Sequence, residues 1–495
     1  MSANDQEQAL RPFPGLLRVS IPVRIRVQAG AASGIWRTIM HRPCLWTILL
    51  LLLLAVPAWA DWPDFRGPWA DGHAAAPGDT NLISLPLSWS ETSNVTWKTA
   101  IPYKGWSTPV ILGRQIWLTT ATPDGKEFFA VCVDADSGKV IFNERVFHCA
   151  TPEPLGNNLN SYASPSPVIE SGRVYVHFGS YGTACLDTSS RRREQAESSS
   201  NANPPPDVGG YDFKVIWKRD DLPCRHFRGP GSSPVLFEDL LILTMDGIDV
   251  QYMTALEKKT GKTVWKTDRT ADWNDIEPDG QPKGGGDYRK AYYTPLIVDV
   301  NGQKQMLTIG SKAAYSYDPR TGRELWKLNH GGYSGASRPL YDRGIAYLCT
   351  GNGKGEVMAV KVDGMGDVTD THVLWRNSRG FPRMPSPVLV NDLIFMVNDG
   401  GIASCLEAAT GKELWQERIG GEYAASLLYA DGRIYCFSQQ GKATVLKPSR
   451  TFEVLARNEL ADGFMASPAV DGKALILRTR THLYRIQDGA GSIKP

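Results

Sequence analysis

The chain has 495 residues, of which 42% are hydrophobic and 21% charged, and its 54 basic and 52 acidic side chains leave a formal net charge of +2. This balance gives no support for a nucleic-acid-binding protein, which would carry a basic excess or a basic stripe. The apolar content and the low net charge exclude a largely disordered chain. The 48 glycines and 15 tryptophans indicate many turns and a repeated unit.

An apolar run over residues 45–56 precedes the rest of the chain. It is about 12 residues long, whereas a membrane-spanning helix needs roughly 20. Small residues ending at Ala60 follow it, so we predict a signal peptide over residues 40–60 and a periplasmic or secreted protein with no stable membrane span after cleavage. An uncleaved anchor is the alternative. Residues 1–39 show no periodicity, and we interpret them as an unstructured extension before a true start at Met40.

A short motif, Ser or Thr followed by Pro and an apolar residue, recurs along the rest of the chain at intervals of 40 to 67 residues. Its prolines are Pro109, Pro167, Pro234, Pro295, Pro339, Pro387 and Pro468, and Leu427 takes the same place in one more repeat. Four short β-rich segments follow each motif, and the fourth often closes on Trp after a Thr-Gly pair. Four strands in a period of about 40 residues are typical of a β-propeller blade, so the eight motifs predict eight blades.

The two ends of the chain are predicted to share a blade. The unit that begins at Pro468 has only three strand segments, whereas residues 94–98 look like an outer strand without a unit of its own. Pairing the two closes the ring and removes an exposed sheet edge. We therefore predict an all-β fold, a single eight-bladed propeller over residues 94–488, in which the polar, Pro-rich stretch 189–210 is a disordered insertion.

The repeats resemble the pyrroloquinoline-quinone-like (PQQ-like) propeller repeat, Ala-x-Asp-x-x-Thr-Gly-x-x-x-Trp. The best matches run from Ala255 to Trp265 and from Ser316 to Trp326. Residues 61–93, which begin DWPDFRGPWADG, form an N-terminal segment similar to the start of exported PQQ-like propellers of planctomycete type. More distantly, the chain resembles the assembly lipoprotein BamB and the propellers of quinoprotein dehydrogenases. The resemblance implies the fold, which binding proteins and enzymes share.

If the chain were a quinoprotein dehydrogenase, the resemblance would imply an adjacent Cys-Cys pair, oxygen ligands for Ca²⁺ and often a c-type haem site. The eight cysteines include no adjacent pair, and no Cys-x-x-Cys-His motif occurs. We therefore expect a ligand-binding or protein-scaffolding module without catalytic residues, whose partner at the propeller mouth is a protein or a small molecule. The alternatives are a PQQ-dependent oxidoreductase for alcohols or sugars, with PQQ and Ca²⁺ as cofactors, and a carbohydrate-binding propeller.

Propellers usually bind ligands where the innermost strands begin, around the mouth of the central channel. The segments before each motif and the turns between second and third strands therefore supply the candidate binding residues. Aromatic and Arg side chains in this set suit a planar anionic molecule, and packing between blades is their alternative role. The candidates are Trp106, Tyr162, His226, Arg228, Tyr293, Tyr333, Arg338, Arg383 and Tyr423.

One pair of carboxylates is a candidate for a metal site, and one pair of cysteines is a candidate for a disulfide. Asp246 and Asp249 flank a predicted turn and would hold Ca²⁺ if carbonyl groups completed its oxygen ligands, although Asp-Gly is also common in plain hairpins. Cys149 and Cys224 lie in successive loops on the mouth face, and an exported compartment permits disulfides, so we predict a bridge between them. The other cysteines that follow the signal segment lie in strand patterns, where a thiol behaves as a small buried hydrophobe.

Overall fold

The computed structural model describes residues 61–76, 78–79, 81–189 and 213–490. These residues belong to the compact unit Trp59–Pro495. The predicted extension, the signal segment and nearly all of the insertion at 189–210 lie outside the described residues. Within the described part of the chain, no helix is long and apolar enough to cross a membrane.

Eight antiparallel sheets, each of four strands in sequence order apart from the last, form the blades of a β-propeller and confirm the predicted fold. From the innermost strand outward, blades 1 and 2 are Val110–Leu112, Gln115–Ala121, Glu127–Asp134, Val140–His148, and Val168–Glu170, Arg173–His177, Thr183–Asp187, Val215–Arg219. Blades 3 and 4 are Val235–Phe237, Leu240–Asp246, Gln251–Glu257, Thr263–Asp268, and Leu296–Val300, Gln303–Ile309, Ala313–Tyr317, Glu324–Asn329. Gly366–Asp367 adds a short parallel strand to the edge of blade 4.

The second half of the chain continues the same pattern. Blades 5 and 6 are Leu340–Asp342, Ile345–Cys349, Val357–Lys361, Val373–Asn377, and Val388–Val390, Leu393–Val397, Ile402–Glu407, Glu413–Arg418. Blade 7 is Leu428–Ala430, Arg433–Phe437, Lys442–Leu446, Val454–Glu459, and blade 8 begins with Ala469–Asp471, Ala474–Arg478, His482–Ile486. Outside the blades, Gly331–Tyr333 pairs with Asn352–Lys354, and Lys283–Arg289 forms a short 3₁₀ turn.

The first strand of the chain completes the last blade. Val95–Ala100 pairs antiparallel with His482–Ile486, with Lys98 opposite Tyr484 and Ala100 opposite His482. The predicted closure is therefore confirmed. Arg478 of blade 8 also joins this blade to blade 1, because its guanidinium donates to the carbonyls of Ser107 at 2.9 Å and Thr119 at 3.1 Å.

The outer-strand tryptophans join each blade to the next. Their indole N–H groups donate to carbonyl oxygens of the following blade over 2.9 to 3.3 Å. They are Trp97, Trp217, Trp265, Trp326, Trp375 and Trp415. The glycine of the Thr-Gly pair explains the repeat signature: a Cβ on Gly261 would lie 2.7 Å from the ring of Trp217, so only glycine lets the indole pack there.

The hydroxyl groups of the Ser/Thr-Pro motifs form hydrogen bonds around the channel. In six places the backbone N–H of a motif residue donates to the hydroxyl of its counterpart in the next blade, at 2.9 to 3.0 Å. The acceptors are Ser166, Ser233, Thr294, Ser386, Ser426 and Ser467. All six are buried, and a buried N–H without an acceptor is costly. The motif therefore serves to close the ring of innermost strands.

The N-terminal segment crosses the channel along the innermost strands. Its contacts run from blade 1 to blade 7: Trp62 pairs with Ile111, the carbonyl of Pro63 accepts from Ile169, Asp64 pairs with Arg338, and Gly72 and Ala74 bond the backbone of Tyr429. The buried guanidinium of Arg66 donates to the carbonyls of Ser386 at 3.1 Å and Pro387 at 2.6 Å. This segment is thus an integral part of the propeller.

Candidate ligand site at the mouth of the central channel

A cavity of about 380 Å³ opens at the mouth of the channel, and we call it the funnel. Its wall is made by the residues just before the Ser/Thr-Pro motifs of successive blades. These include Trp106, Arg228, Tyr292, Tyr333, Arg383 and Met465. The funnel therefore opens at the end of the channel where the sequence pattern places the candidate binding residues.

Phe65 is the part of the N-terminal segment that lines the funnel. Its neighbours are fixed on either side, because Asp64 pairs with Arg338 at 3.1 Å and Arg66 binds carbonyls of the motifs of blades 6 and 7. The phenyl ring thus contributes an apolar surface to the lining of the funnel.

Two arginine–aspartate pairs supply the charged groups of the funnel. Arg228 donates to both oxygens of Asp287, at 2.8 and 2.9 Å, and this carboxylate raises the pKa of Arg228. Arg383 donates to Asp399 at 2.7 Å and to the amide oxygen of Asn352 at 2.9 Å. Each arginine is therefore neutralised locally, and each pair offers donors and acceptors side by side.

Trp106 offers both an apolar face and an unused donor. Its Nε1–H is buried and has no acceptor among the described residues, and the ammonium of Lys104 lies 5.1 Å from the ring centroid. A buried donor without a partner costs about 1–3 kcal/mol, so an acceptor supplied by a ligand would be favourable there. Tyr292 and Tyr333 provide further aromatic surface in the same wall.

The structure separates the nine predicted binding residues into two groups. Trp106, Arg228, Tyr333 and Arg383 line the funnel. Tyr162, His226, Tyr293, Arg338 and Tyr423 do not line it and are buried instead. The residues of the second group make buried contacts inside the protein. For example, the hydroxyl of Tyr162 donates to the carbonyl of Glu153 at 2.9 Å.

The predicted calcium pair is not assembled as a metal site. Both carboxylate oxygens of Asp246 accept from Arg269, at 3.1 and 2.9 Å, and both side chains are 1% exposed. Asp249 instead accepts the backbone N–H of Arg225 at 2.8 Å. Among the residues that the structure describes, no group of three or more His, Cys, Asp or Glu side chains is placed to hold a metal. Asp246 is therefore a buried ion-pair partner.

The predicted disulfide is also wrong. Cys149 and Cys224 are both free, and the sulfur of Cys224 lies 3.7 Å from Nδ1 of His226. Burial raises the pKa of Cys224 to about 12, so this thiol stays protonated. Two loops on the same face do not by themselves bring two sulfur atoms within bonding distance.

Several wall residues were not predicted. Asp399 follows a second strand in a turn on the mouth face, so the rule used for the other candidates applied to it as well. Asn352 lies between the second and third strands of blade 5, so the same rule applied to it too. Asp287 and the amides Asn157 and Asn160 lie in long loops with no such position rule. Phe65 had no signal at all in the repeat pattern, because its place depends on the path of the N-terminal segment through the channel.

Comparisons with known proteins agree with this architecture. The family model described as outer membrane protein assembly factor BamB matches residues 362–449. BamB from Moraxella catarrhalis superposes with a TM-score of 0.52 at 11% identity, covering 81% of this chain and 99% of that one. Quinohemoprotein alcohol dehydrogenase from Comamonas testosteroni gives a TM-score of 0.60 at 12% identity, covering 88% and 82%.

A designed protein, Ika8, also superposes, with a TM-score of 0.51 at 9% identity and coverage of 80% of this chain and 99% of that one. A search of curated protein sequences found no match. At such low identity the structural likeness establishes the fold alone. The chain is an eight-bladed β-propeller. More specifically, it is a PQQ-like β-propeller, a fold that it shares with BamB and with quinoprotein alcohol dehydrogenases.

Proposed function

We propose that this protein is an exported binding module whose funnel takes a neutral, hydroxyl-rich ligand such as a carbohydrate. One observation carries the proposal: each arginine of the funnel has its own carboxylate, Arg228 with Asp287 and Arg383 with Asp399. Hydroxyl groups both donate and accept hydrogen bonds, and adjacent donors and acceptors suit them. Trp106, Tyr292 and Tyr333 would cover the apolar faces of a sugar ring.

A quinone with calcium fits these residues poorly. PQQ is a planar anion, and in the funnel it would lie beside Asp287 and Asp399, while both arginines are already engaged by those carboxylates. Calcium needs six or more oxygen ligands, and the two funnel carboxylates are held by guanidinium groups. We therefore favour the binding role over the dehydrogenase alternative.

A screen of neutral oligosaccharides on an array, followed by calorimetry of the strongest binder, tests the proposal. We expect Trp106→Ala to weaken binding at least about tenfold, or about 1.4 kcal/mol. Trp69→Ala is the matched control, because Trp69 is 45% exposed and does not line the funnel. The control should bind like the wild type. Absence of any neutral binder, or equal loss in both variants, would refute the proposal.

The dehydrogenase and scaffold alternatives can be tested with the same purified protein. Saturable binding of PQQ with Ca²⁺, accompanied by dye reduction with an alcohol or sugar, would favour the dehydrogenase. Stable co-purification of a protein that Trp106→Ala does not release would favour a scaffold that uses another surface. Export is tested by N-terminal sequencing of the mature protein, for which the predicted first residue is Asp61.

A further inference from the structure

A second cavity, of about 850 Å³, lies on the mouth side of blades 4 and 5 and shares Tyr333 with the funnel. We call it the lysine cavity. Its walls come from the loop 272–288, from the turn at Lys312, and from the small sheet that pairs Gly331–Tyr333 with Asn352–Lys354. The carbohydrate role proposed above does not use it.

The wall of this cavity carries four lysines: Lys283, Lys312, Lys327 and Lys354. The register of the small sheet puts Lys354 opposite Gly331, and Lys312 donates to the carbonyl of Gly331 at 3.1 Å, so both lysines lie beside the same glycine. Burial and the charge of Lys354 lower the pKa of Lys312. Two like charges on one cavity wall repel each other unless an anion lies between them.

The acidic residues of the wall do not cancel this charge. Asp275 accepts from Arg289 at 2.6 and 2.9 Å, so that carboxylate is already neutralised. Asp272 accepts the backbone N–H of Asn274 at 3.1 Å and is the remaining carboxylate of the wall. Four ammonium groups against one available carboxylate leave the cavity positively charged. In this respect it is the opposite of the funnel, where each cation has its own anion.

Two neutral donors in the same wall also lack acceptors. Nδ1 of His330 accepts the backbone N–H of Gly332 at 3.1 Å, so the proton of the neutral ring is on Nε2. Burial and the Lys312 charge lower the pKa of His330 to about 3, which keeps the ring neutral. This residue is 9% exposed, and its Nε2 has no partner among the described residues. Nε1–H of Trp273 is also buried, and no described residue accepts its hydrogen bond.

Both the unpaired donors and the uncompensated cations of this cavity would be satisfied by one kind of ligand group, an anion that accepts hydrogen bonds. We propose that the lysine cavity is an oxyanion-binding site for a carboxylate, sulfate or phosphate group. Lys283, Lys312 and Lys354 supply charge, and Nε2–H of His330 and Nε1–H of Trp273 supply directed donors. Arg289 lies 5.3 Å over the ring of Trp273 and supports its position.

The test titrates the purified protein with sodium sulfate, sodium phosphate and sodium acetate at ionic strength held constant with sodium chloride. Binding is followed by calorimetry and by tryptophan fluorescence. We expect saturable binding of at least one anion. The double variant Lys283→Gln/Lys354→Gln should weaken it at least about tenfold, since charge-assisted bonds are the strong ones. Trp273→Phe keeps the aromatic ring, loses the N–H, and should weaken binding and remove the fluorescence change.

The matched control is Lys259→Gln/Lys473→Gln, which removes the same charge from two exposed positions outside the cavity. Unchanged binding in this control supports the site. No saturable binding of any of the three anions, or equal weakening in both double variants, overturns it. A sugar monosulfate or monophosphate that binds more tightly than the free ion identifies a group carried by a larger ligand, whereas equal affinity identifies the free ion.

Anion binding in the lysine cavity can be tested separately from ligand binding in the funnel. Trp106 does not line the lysine cavity, so Trp106→Ala should leave the anion titration unchanged. Loss of neutral-sugar binding with retained anion binding would therefore separate the two sites. A ligand that carries both hydroxyl groups and an anionic substituent could contact both, because Tyr333 belongs to both walls.

Discussion

The guanidinium of Arg338 forms an ion pair with the carboxylate of Asp64 at 3.1 Å, although 274 residues separate them in the chain. Arg338 stands at the first position of the motif, where the other seven blades have Ser or Thr. It also donates to the carbonyl of Pro295 at 3.0 Å and to that of Phe65. The blade without a motif hydroxyl thus supplies the anchor for the N-terminal segment.

Removing this anchor should loosen the segment. The side chain of Arg338 is 1% exposed and that of Asp64 18%, so Arg338→Ala leaves a largely buried carboxylate without its partner, at a cost of about 3 kcal/mol. Urea unfolding should show that loss, and limited proteolysis should cut the segment near Phe65. The double variant Arg338→Ala/Asp64→Ala should recover part of the stability. Equal stability of single and double variants would contradict the ion-pair interpretation.

The hydroxyl bonds around the channel predict a second change in stability. Ser426 accepts the backbone N–H of Ser386 at 3.0 Å in a buried position. Ser426→Ala leaves that N–H without an acceptor and should lower the free energy of unfolding by about 1–3 kcal/mol. Ser426→Thr keeps the hydroxyl, which Thr294 supplies in blade 4, and should retain most of the stability. Chemical denaturation of the three proteins measures the difference.

Acid should destabilise the fold through buried neutral histidines. Burial lowers the pKa of His177 to about 3, and His330 has a similarly lowered pKa. A base whose pKa is lower in the folded state binds fewer protons there than in the unfolded chain, so stability is lost as pH falls from about 6.5 toward 3. By pH 5 each histidine should cost about 2 kcal/mol.

The variant His177→Gln isolates one of these groups. Glutamine retains a hydrogen-bonding partner for Thr183, which lies 2.8 Å from Nδ1 of His177, but it does not titrate. We expect the loss of stability between pH 7 and pH 5 to be smaller by about 2 kcal/mol in this variant than in the wild type. Denaturation curves at the two pH values provide the measurement. The same pH dependence in both proteins would contradict the assignment.

The free cysteines predict a distinct labelling pattern. Cys149 is partly exposed, whereas the other described cysteines are buried, and burial raises the pKa of Cys349 and Cys185 to about 12. A thiol reagent applied to the folded protein without reductant should therefore modify Cys149 and, after unfolding, every described cysteine. Cys149→Ser should abolish the modification of the folded protein at these positions. A mass-spectrometric peptide containing Cys149 linked to Cys224 would contradict the structure.

The spacing of the repeats was enough to predict the propeller, because the residues that define each strand and turn act on their near neighbours in the fold. Glycine in the Thr-Gly pair permits the neighbouring indole to pack, as at Gly261 under Trp217. An outer strand at residues 94–98, which the structure has at Val95–Ala100, was predicted from counting strands alone. A missing fourth strand and an unassigned first one have a single pairing that leaves no exposed edge. The mouth position of Trp106 and Arg383 followed from the same periodicity.

Other residues of the site could not be assigned in this way. Periodicity predicts which end of a blade a residue occupies, but not whether its side chain faces the channel or the protein interior. Tyr293 is fully buried, whereas Tyr292 beside it lines the funnel. Cys149 and Cys224 share a face without meeting, because loop paths are not periodic. Arg338 was predicted to contact a ligand, and its partner Asp64 lies in a segment outside the repeats.

The number of blades, their strand order and the end of the channel where a cavity opens could be predicted from the sequence, because these features depend on short-range propensity and a regular period. The electrostatics of the two cavities became visible only with the folded chain. Asp287 neutralises Arg228 in the funnel, whereas neither Lys312 nor Lys354 forms an ion pair with another of the described residues of the lysine cavity. Pairing of charges depends on distances between atoms far apart in the chain, and electrostatic energy changes steeply over those few ångströms.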